Sequence, residues 1–205
     1  MPKIKWIGII DQKDIALFQK YPLPDNAVKT DLPKTMGEMM MKAAPFAFFS
    51  FIVCMTSMIV KCAKEHTNII SMPWCIVGLV ISGLYLLLHE LLHAVVYPRD
   101  ATVSIGIVKQ FAAVALAAYP LNRARFAVMS LLPYLLGLAP LIVFQLIPAD
   151  NRALNSILFM LSMMGMISPY PDAYNVYYML RKIPRGSKML FCGDETYYIP
   201  KEDAK

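Results

Sequence analysis

The stretch His89-Glu90-Leu91-Leu92-His93 sets two imidazoles four residues apart around a carboxylate, inside an otherwise apolar run over residues 86–96. On a helix, residues four apart share a face, so His89 and His93 can offer ring nitrogens to one metal ion while Glu90 reaches a water at the same place. This is the chemistry of metal-assisted hydrolysis, with zinc as the expected ion and Glu90 as the proton acceptor. The chain has only three histidines in 205 residues, so the pairing does not follow from abundance. An ionisable Glu90 among lipid-like side chains would cost ~2.5–3.5 kcal/mol unless it faces a polar cavity or a partner.

The elements that must position this motif are membrane helices. The chain is 58% hydrophobic with a mean hydropathy of +0.50, and its apolar residues come in long runs rather than amphipathic stripes. The spans are expected over residues 43–60, 73–97, 126–147 and 154–180, the second carrying the motif near its far end. Between the second and third, Val103, Ile105 and Ile107 alternate with Ser104 and Gly106, which is strand periodicity, and residues 111–119 form an alanine-rich run. Either a hairpin or re-entrant element packed over the site or an amphipathic connector lying in the membrane interface is expected there. Pro133 and Pro140 are expected to bend the third span, and the fourth is interrupted by Ser168-Pro169-Tyr170-Pro171, with Asp172 next. Residues 61–72 read as a polar loop, and residues 189–199 as two short strands about a Gly193-Asp194 turn.

The fold class is therefore an all-α polytopic membrane protein of about four transmembrane helices, with a small β-hairpin-like element after the second and a short β tail. Residues 1–42 are expected to be an N-terminal cytosolic tail with at most one strand, residues 43–180 the membrane domain, and residues 181–205 a C-terminal cytosolic tail. Lys and Arg number 17 in the two tails and the segment between the second and third spans, against 3 in the other two loops. That asymmetry predicts a multi-pass cell-membrane protein with both termini in the cytosol. It accounts for the net charge of +6 as membrane anchoring and argues against a nucleic-acid partner. Cys54, Cys62, Cys75 and Cys192 show no metal-finger spacing; Cys62 and Cys75 flank one short loop and would pair only if it faces an oxidising side, so free thiols are favoured.

Catalytic zinc takes three protein ligands and keeps one position open, so a third ligand is needed. An extended motif would require Gly at 96 and His at 99, where the chain has Val96 and Arg99; and no Glu occurs between Glu90 and Glu195. His66, Asp100, Asp150 and Asp172 remain. Charge topology puts His66 and Asp150 in outer loops, and Asp100 follows the motif in a connector where an ordinary solvated charge suffices. Asp172 sits in a proline-broken helix, where membrane proteins build ion sites. His89 lies ~22 Å down a regular second helix and Asp172 ~26 Å down the fourth, so the two would meet at similar depth. Asp172 is favoured, with His66 and Asp100 kept as alternatives.

The His89-Glu90-Leu91-Leu92-His93-Ala94 segment, the strand-like stretch after it and the Pro169-Tyr170-Pro171-Asp172-Ala173-Tyr174-Asn175 segment together resemble a bacterial family of zincin peptidases of unknown function. That family is a group of small multi-span membrane proteins, distantly similar to the site-2 intramembrane metalloproteases. The resemblance covers roughly residues 74–199. It implies that the aspartate matching Asp172 is the third zinc ligand. The site-2 enzymes usually have Asp-Gly where this chain has Asp172-Ala173.

The expected activity is a zinc-dependent membrane-embedded endopeptidase acting on a membrane or membrane-proximal protein. The alternative is a metal-binding membrane protein, such as a sensor or transport component, that performs no hydrolysis. Asn175, Tyr170 and Tyr174 are candidates for an oxyanion contact or for supporting the ligands. An extended substrate is expected to add to the strand over residues 103–107 by edge pairing.

Overall fold

Thr35 starts the first membrane helix: its Oγ1 accepts a 3.2 Å hydrogen bond from the Glu38 amide, which satisfies one of the donors left open at a helix start. From this cap α2 (Met36–Glu65) runs ~45 Å without a break. The computed structural model describes residues 1–33, 35–109, 112–193 and 195–201. Ahead of α2 come β1 (Lys3–Ile10), the single turn α1 (Ile15–Phe18) and β2 (Val28–Lys29).

The other three spans are each made of two helical pieces. The second comprises α3 (Met72–Ser82) and α4 (Tyr85–Val96), the third α5 (Arg123–Leu131) and α6 (Leu135–Leu146), and the fourth α7 (Arg152–Ile167) and α8 (Tyr170–Lys182). At the first break the amides of Gly83 and Leu84 bond back only three residues, to the carbonyls of Val80 (3.1 Å) and Ile81 (3.0 Å). The second break is a 3-10 turn, Leu132–Tyr134, around Pro133; the third lies at Ser168 and Pro169. Proline explains the last two, since it supplies no amide to the helical ladder. Pro140, by contrast, stays inside α6.

Four stretches, Met36–Glu65, Met72–Val96, Arg123–Leu146 and Arg152–Lys182, are long and apolar enough to cross a membrane. With side chains such as Val80 and Leu84 facing outward at 72% and 65% exposure, the surface suits lipid and not water. This is a mostly helical polytopic membrane protein.

Two small sheets sit at one end of the helices. β3 (Thr102–Val108) lies between β1, in parallel, and β4 (Ala112–Leu116), antiparallel. β5 (Leu121–Asn122), β6 (Lys188–Cys192) and β7 (Glu195–Ile199) form the second sheet, with β2 on its far edge. The hairpin between the second and third spans and the paired strands near the C-terminus agree with the sequence; Phe111 of the alanine-rich run and Asp194 of the expected turn lie outside the described residues. Val103, Ile105, Leu121, Phe126 and Met179 share one buried cluster, which fixes both sheets to the ends of α5 and α8.

Three expectations are revised. Residues 61–65 are the last turn of α2 and not loop, so Lys61 is buried at 2% exposure. Strand β3 is paired on both sides, so no substrate can add along residues 103–107; the open edge of that sheet next to the helices is that of β4. The residues before α2 also supply strands to both sheets, β1 pairing with β3 and β2 with β7, and Ile7 and Ile10 at the far end of β1 pack with Val108 and Leu116 in a small core. The cysteines Cys54, Cys62, Cys75 and Cys192 are free thiols.

Candidate metal centre

Each residue of the motif is set by an element already described. α4 places His89 and His93 one turn apart, and their Nε2 atoms face each other at 2.9 Å. The Nδ1 of His93 donates to the Met129 carbonyl of α5 at 2.7 Å. A carbonyl only accepts, so the proton of a neutral His93 ring is committed to Nδ1, and Nε2 presents a lone pair. Asp172 enters from the first turn of α8, immediately after the proline break, and its Oδ2 lies 3.3 Å from Nε2 of His89 and 3.5 Å from Nε2 of His93. Both histidines are 8% exposed.

Three electron-rich atoms thus converge in a buried space, and a cation must lie among them, whether a proton or a metal. In a tetrahedral site with ligand bonds of about 2.0–2.1 Å, neighbouring ligand atoms stand about 3.3–3.4 Å apart. The observed separations of 2.9, 3.3 and 3.5 Å bracket that figure. Two imidazoles with one carboxylate are a zinc donor set, and the His93 to Met129 bond is the kind of outer contact that orients a ligating ring. The residues present therefore fit the ion.

Glu90 projects from α4 beside the two rings, and ligand atoms of His89, Glu90 and His93 all lie within 4.8 Å of one another. The carboxylate comes within hydrogen-bonding reach of the Ala115 backbone amide of β4. The hairpin therefore contributes an edge amide to the site.

The alternative ligands lie elsewhere. His66 caps the C-terminal end of α2, while Ser50, sixteen residues earlier, is level with Tyr134 near Asp172, so His66 is ~24 Å away along the helix. Asp150 shares a cleft with Glu65 at that same remote end. Asp100 accepts a 2.6 Å hydrogen bond from the Tyr119 hydroxyl, which also raises the Tyr119 pKa.

The remaining candidates are spread along α8. Asn175 lies one turn past Asp172, and its buried Oδ1 has no hydrogen-bond partner among the described residues. Tyr174 packs edge-on against Phe46 of α2 at 6.4 Å, and Tyr170 opens α8, partly buried. Sequence reasoning missed Met129, whose contribution is a backbone carbonyl, and Tyr134, whose hydroxyl faces that of Ser50 within electrostatic reach of Asp172. It also missed Ser130, a buried hydroxyl on α5 with no partner among the described residues. The proline turn at Leu132–Tyr134 was the available signal for Tyr134, because it ends α5 beside the motif helix.

Residues 82–188, just over half of the chain, match the sequence profile of a family described as "Putative zincin peptidase". No curated protein and no solved structure matches the chain.

Proposed function

The chain belongs to that zincin peptidase family, and from that premise we propose that it is a membrane-embedded endopeptidase. In this reading His89, His93 and Asp172 hold zinc, and Glu90 handles the proton. The convergence of the Asp172 carboxylate on the paired Nε2 atoms carries the proposal.

When bound, zinc would polarise the scissile carbonyl and make water a competent nucleophile near neutral pH. Glu90 takes the proton from the attacking water and delivers it to the leaving amine. Met129 keeps the His93 ring oriented through its Nδ1 proton. The open edge of β4 supports a substrate bound as an added strand, since Ala113 to Leu116 run beside α4 and the Ala115 amide already points at Glu90. In this reading Asn175, one turn past Asp172 and with a buried Oδ1 that has no hydrogen-bond partner among the described residues, accepts from the substrate backbone.

Substrates of this enzyme are membrane-anchored or membrane-proximal proteins, because the site lies on a helix that crosses the bilayer. Both termini face the cytosol of a cell-membrane protein in this reading: with Lys61 buried in α2, the exposed Lys and Arg at the opposite ends of the spans are only Lys64, in the last turn of α2, and Arg152, which opens α7.

Replacing Glu90 with Gln tests the reading. Zinc should remain bound to the purified variant while cleavage of a membrane-anchored reporter is abolished. Processing at the wild-type rate would leave a metal-binding protein that performs no hydrolysis.

A further inference from the structure

Strand β1 carries an apolar face that the described protein leaves partly open at Ile4 and mostly open at Trp6 and Ile9. Its parallel register with β3 sets Ile4 against Val103 and Trp6 against Ile105, so these pairs share one face of the sheet. Val103 and Ile105 are 0% and 7% exposed, packed in one cluster with Ala94 of the motif helix and Phe126 of α5. Ile4 and Trp6, one strand further out, are 40% and 60% exposed.

The register slips by one residue between Trp6 and Ile9, where Gly8 takes a φ of +74°. Without this bulge the alternation would turn Ile9 to the other face. With it, Ile9 pairs with Ile107 on the same face and stands 70% exposed. Lys3 and Lys5 occupy the opposite face, beside Thr102 and Ser104, and Ile10 and Ile7 close a separate small core there with Val108 and α1.

We propose that β1 is an interfacial membrane anchor, with Ile4, Trp6 and Ile9 seated among the headgroups and upper acyl chains of the bilayer that the four spans cross. The occupant is lipid because the exposed face continues, without a turn, the face by which β3 packs on helices that themselves enter the bilayer. Tryptophan with a polar N–H and an apolar ring is the residue that favours this layer, and such elements lie about 5–10 Å into the headgroup and acyl boundary. Lys3 and Lys5, on the side away from the acyl chains, carry the charge that anionic headgroups attract. The anchor is independent of hydrolysis. It holds the sheet, and with it the β4 edge, at a fixed depth beside the motif.

The chain has two tryptophans, Trp6 and Trp74. The full-length protein with Trp74→Phe is reconstituted into phosphatidylcholine and phosphatidylglycerol vesicles, and its emission is read with the phosphatidylcholine either plain or brominated at shallow acyl positions. The emission should be blue-shifted, should lose most of its intensity to the brominated lipid and should resist aqueous acrylamide. Emission quenched by acrylamide as fully as free tryptophan, with no response to brominated lipid, would overturn the proposal. Protection from both quenchers would overturn it too, since a second copy of the chain or another protein would then cover the face. The difference between wild type and Trp6→Phe isolates the same signal if Trp74→Phe fails to fold. The double variant Ile4→Ser and Ile9→Ser should shift Trp6 emission to longer wavelength.

Discussion

Two polar clusters are buried in this apolar bundle, and they are built on opposite principles. At one end Lys61 gives its three protons to the Phe144 carbonyl, the Ile147 carbonyl at 2.8 Å and Asn155 Oδ1 at 2.7 Å, with its ammonium over the Phe144 ring. Asn155 in turn donates to the carbonyls of Pro148 (2.8 Å) and Asn151 (2.9 Å). Donors and acceptors balance, and the cluster closes the exposed carbonyl end of α6 onto α2 and α7. The other cluster has an excess of acceptors. Two imidazole nitrogens and a carboxylate oxygen point at a common space; the buried oxygens of Ser130, next in sequence to Met129, and of Asn175, one turn past Asp172, have no partner among the described residues. A balanced cluster joins helices and needs nothing more; in an unbalanced one the converging acceptors lack the donor or cation that would satisfy them.

The contrast can be broken in four places. Glu90→Gln should lower peptide hydrolysis about 10²–10⁴-fold while unfolding is unchanged, because the carboxylate acts on protons and not on packing. A loss of fold instead of rate would make the open cluster structural like the other. Lys61→Met should leave zinc content unaltered and lower stability by about 1.5–3 kcal/mol, as expected when hydrogen bonds from a charged donor are lost; denaturant titration in micelles measures it. An unchanged midpoint would show that the closed cluster stabilises nothing.

Gly165→Ala probes the crossing that sets the fourth span in place. A Cβ there would stand 2.3 Å from the Gly137 amide nitrogen, in the main chain of α6. Relief requires α7 to move, at a cost of about 1–3 kcal/mol, and zinc affinity should fall because Asp172 follows seven residues later. Retained affinity would separate the position of Asp172 from the α6 and α7 contact. The smallest effect is expected for Ser130→Ala, within about 0.5 kcal/mol by the same titration, since the hydroxyl makes no hydrogen bond among the described residues. A marked fall in activity with stability intact would assign Ser130 to substrate.

Much of the site could be read from residue types and spacing. The pairing of His89 with His93 follows from helical periodicity alone, and Asp172 stood out because prolines at 169 and 171 interrupt an apolar span ahead of a carboxylate. The four spans and the hairpin are local patterns and were equally visible. What was not visible depends on distant pairing or on backbone atoms. β1 finds β3 about a hundred residues later, and nothing in Lys3-Ile4-Lys5-Trp6 specifies that partner over another edge. The Met129 carbonyl and the Ala115 amide would be supplied by almost any residue at those positions. Lys61 looked like a loop charge because its acceptors are carbonyls at the end of another helix. The break at Gly83 lacks a proline, so the second span read as one helix, whereas Pro133 and Pro140 look alike in sequence and only the first interrupts the helix.

The proposed activity requires Asp172 to join the two histidines around zinc. X-ray absorption at the zinc edge of the purified full-length protein measures that set directly. It should show one zinc per chain bound only by nitrogen and oxygen, with the signature of two imidazoles, and Asp172→Ala should remove an oxygen ligand or the metal itself. A wild-type protein that folds without zinc, or a zinc spectrum identical in wild type and Asp172→Ala, would contradict it.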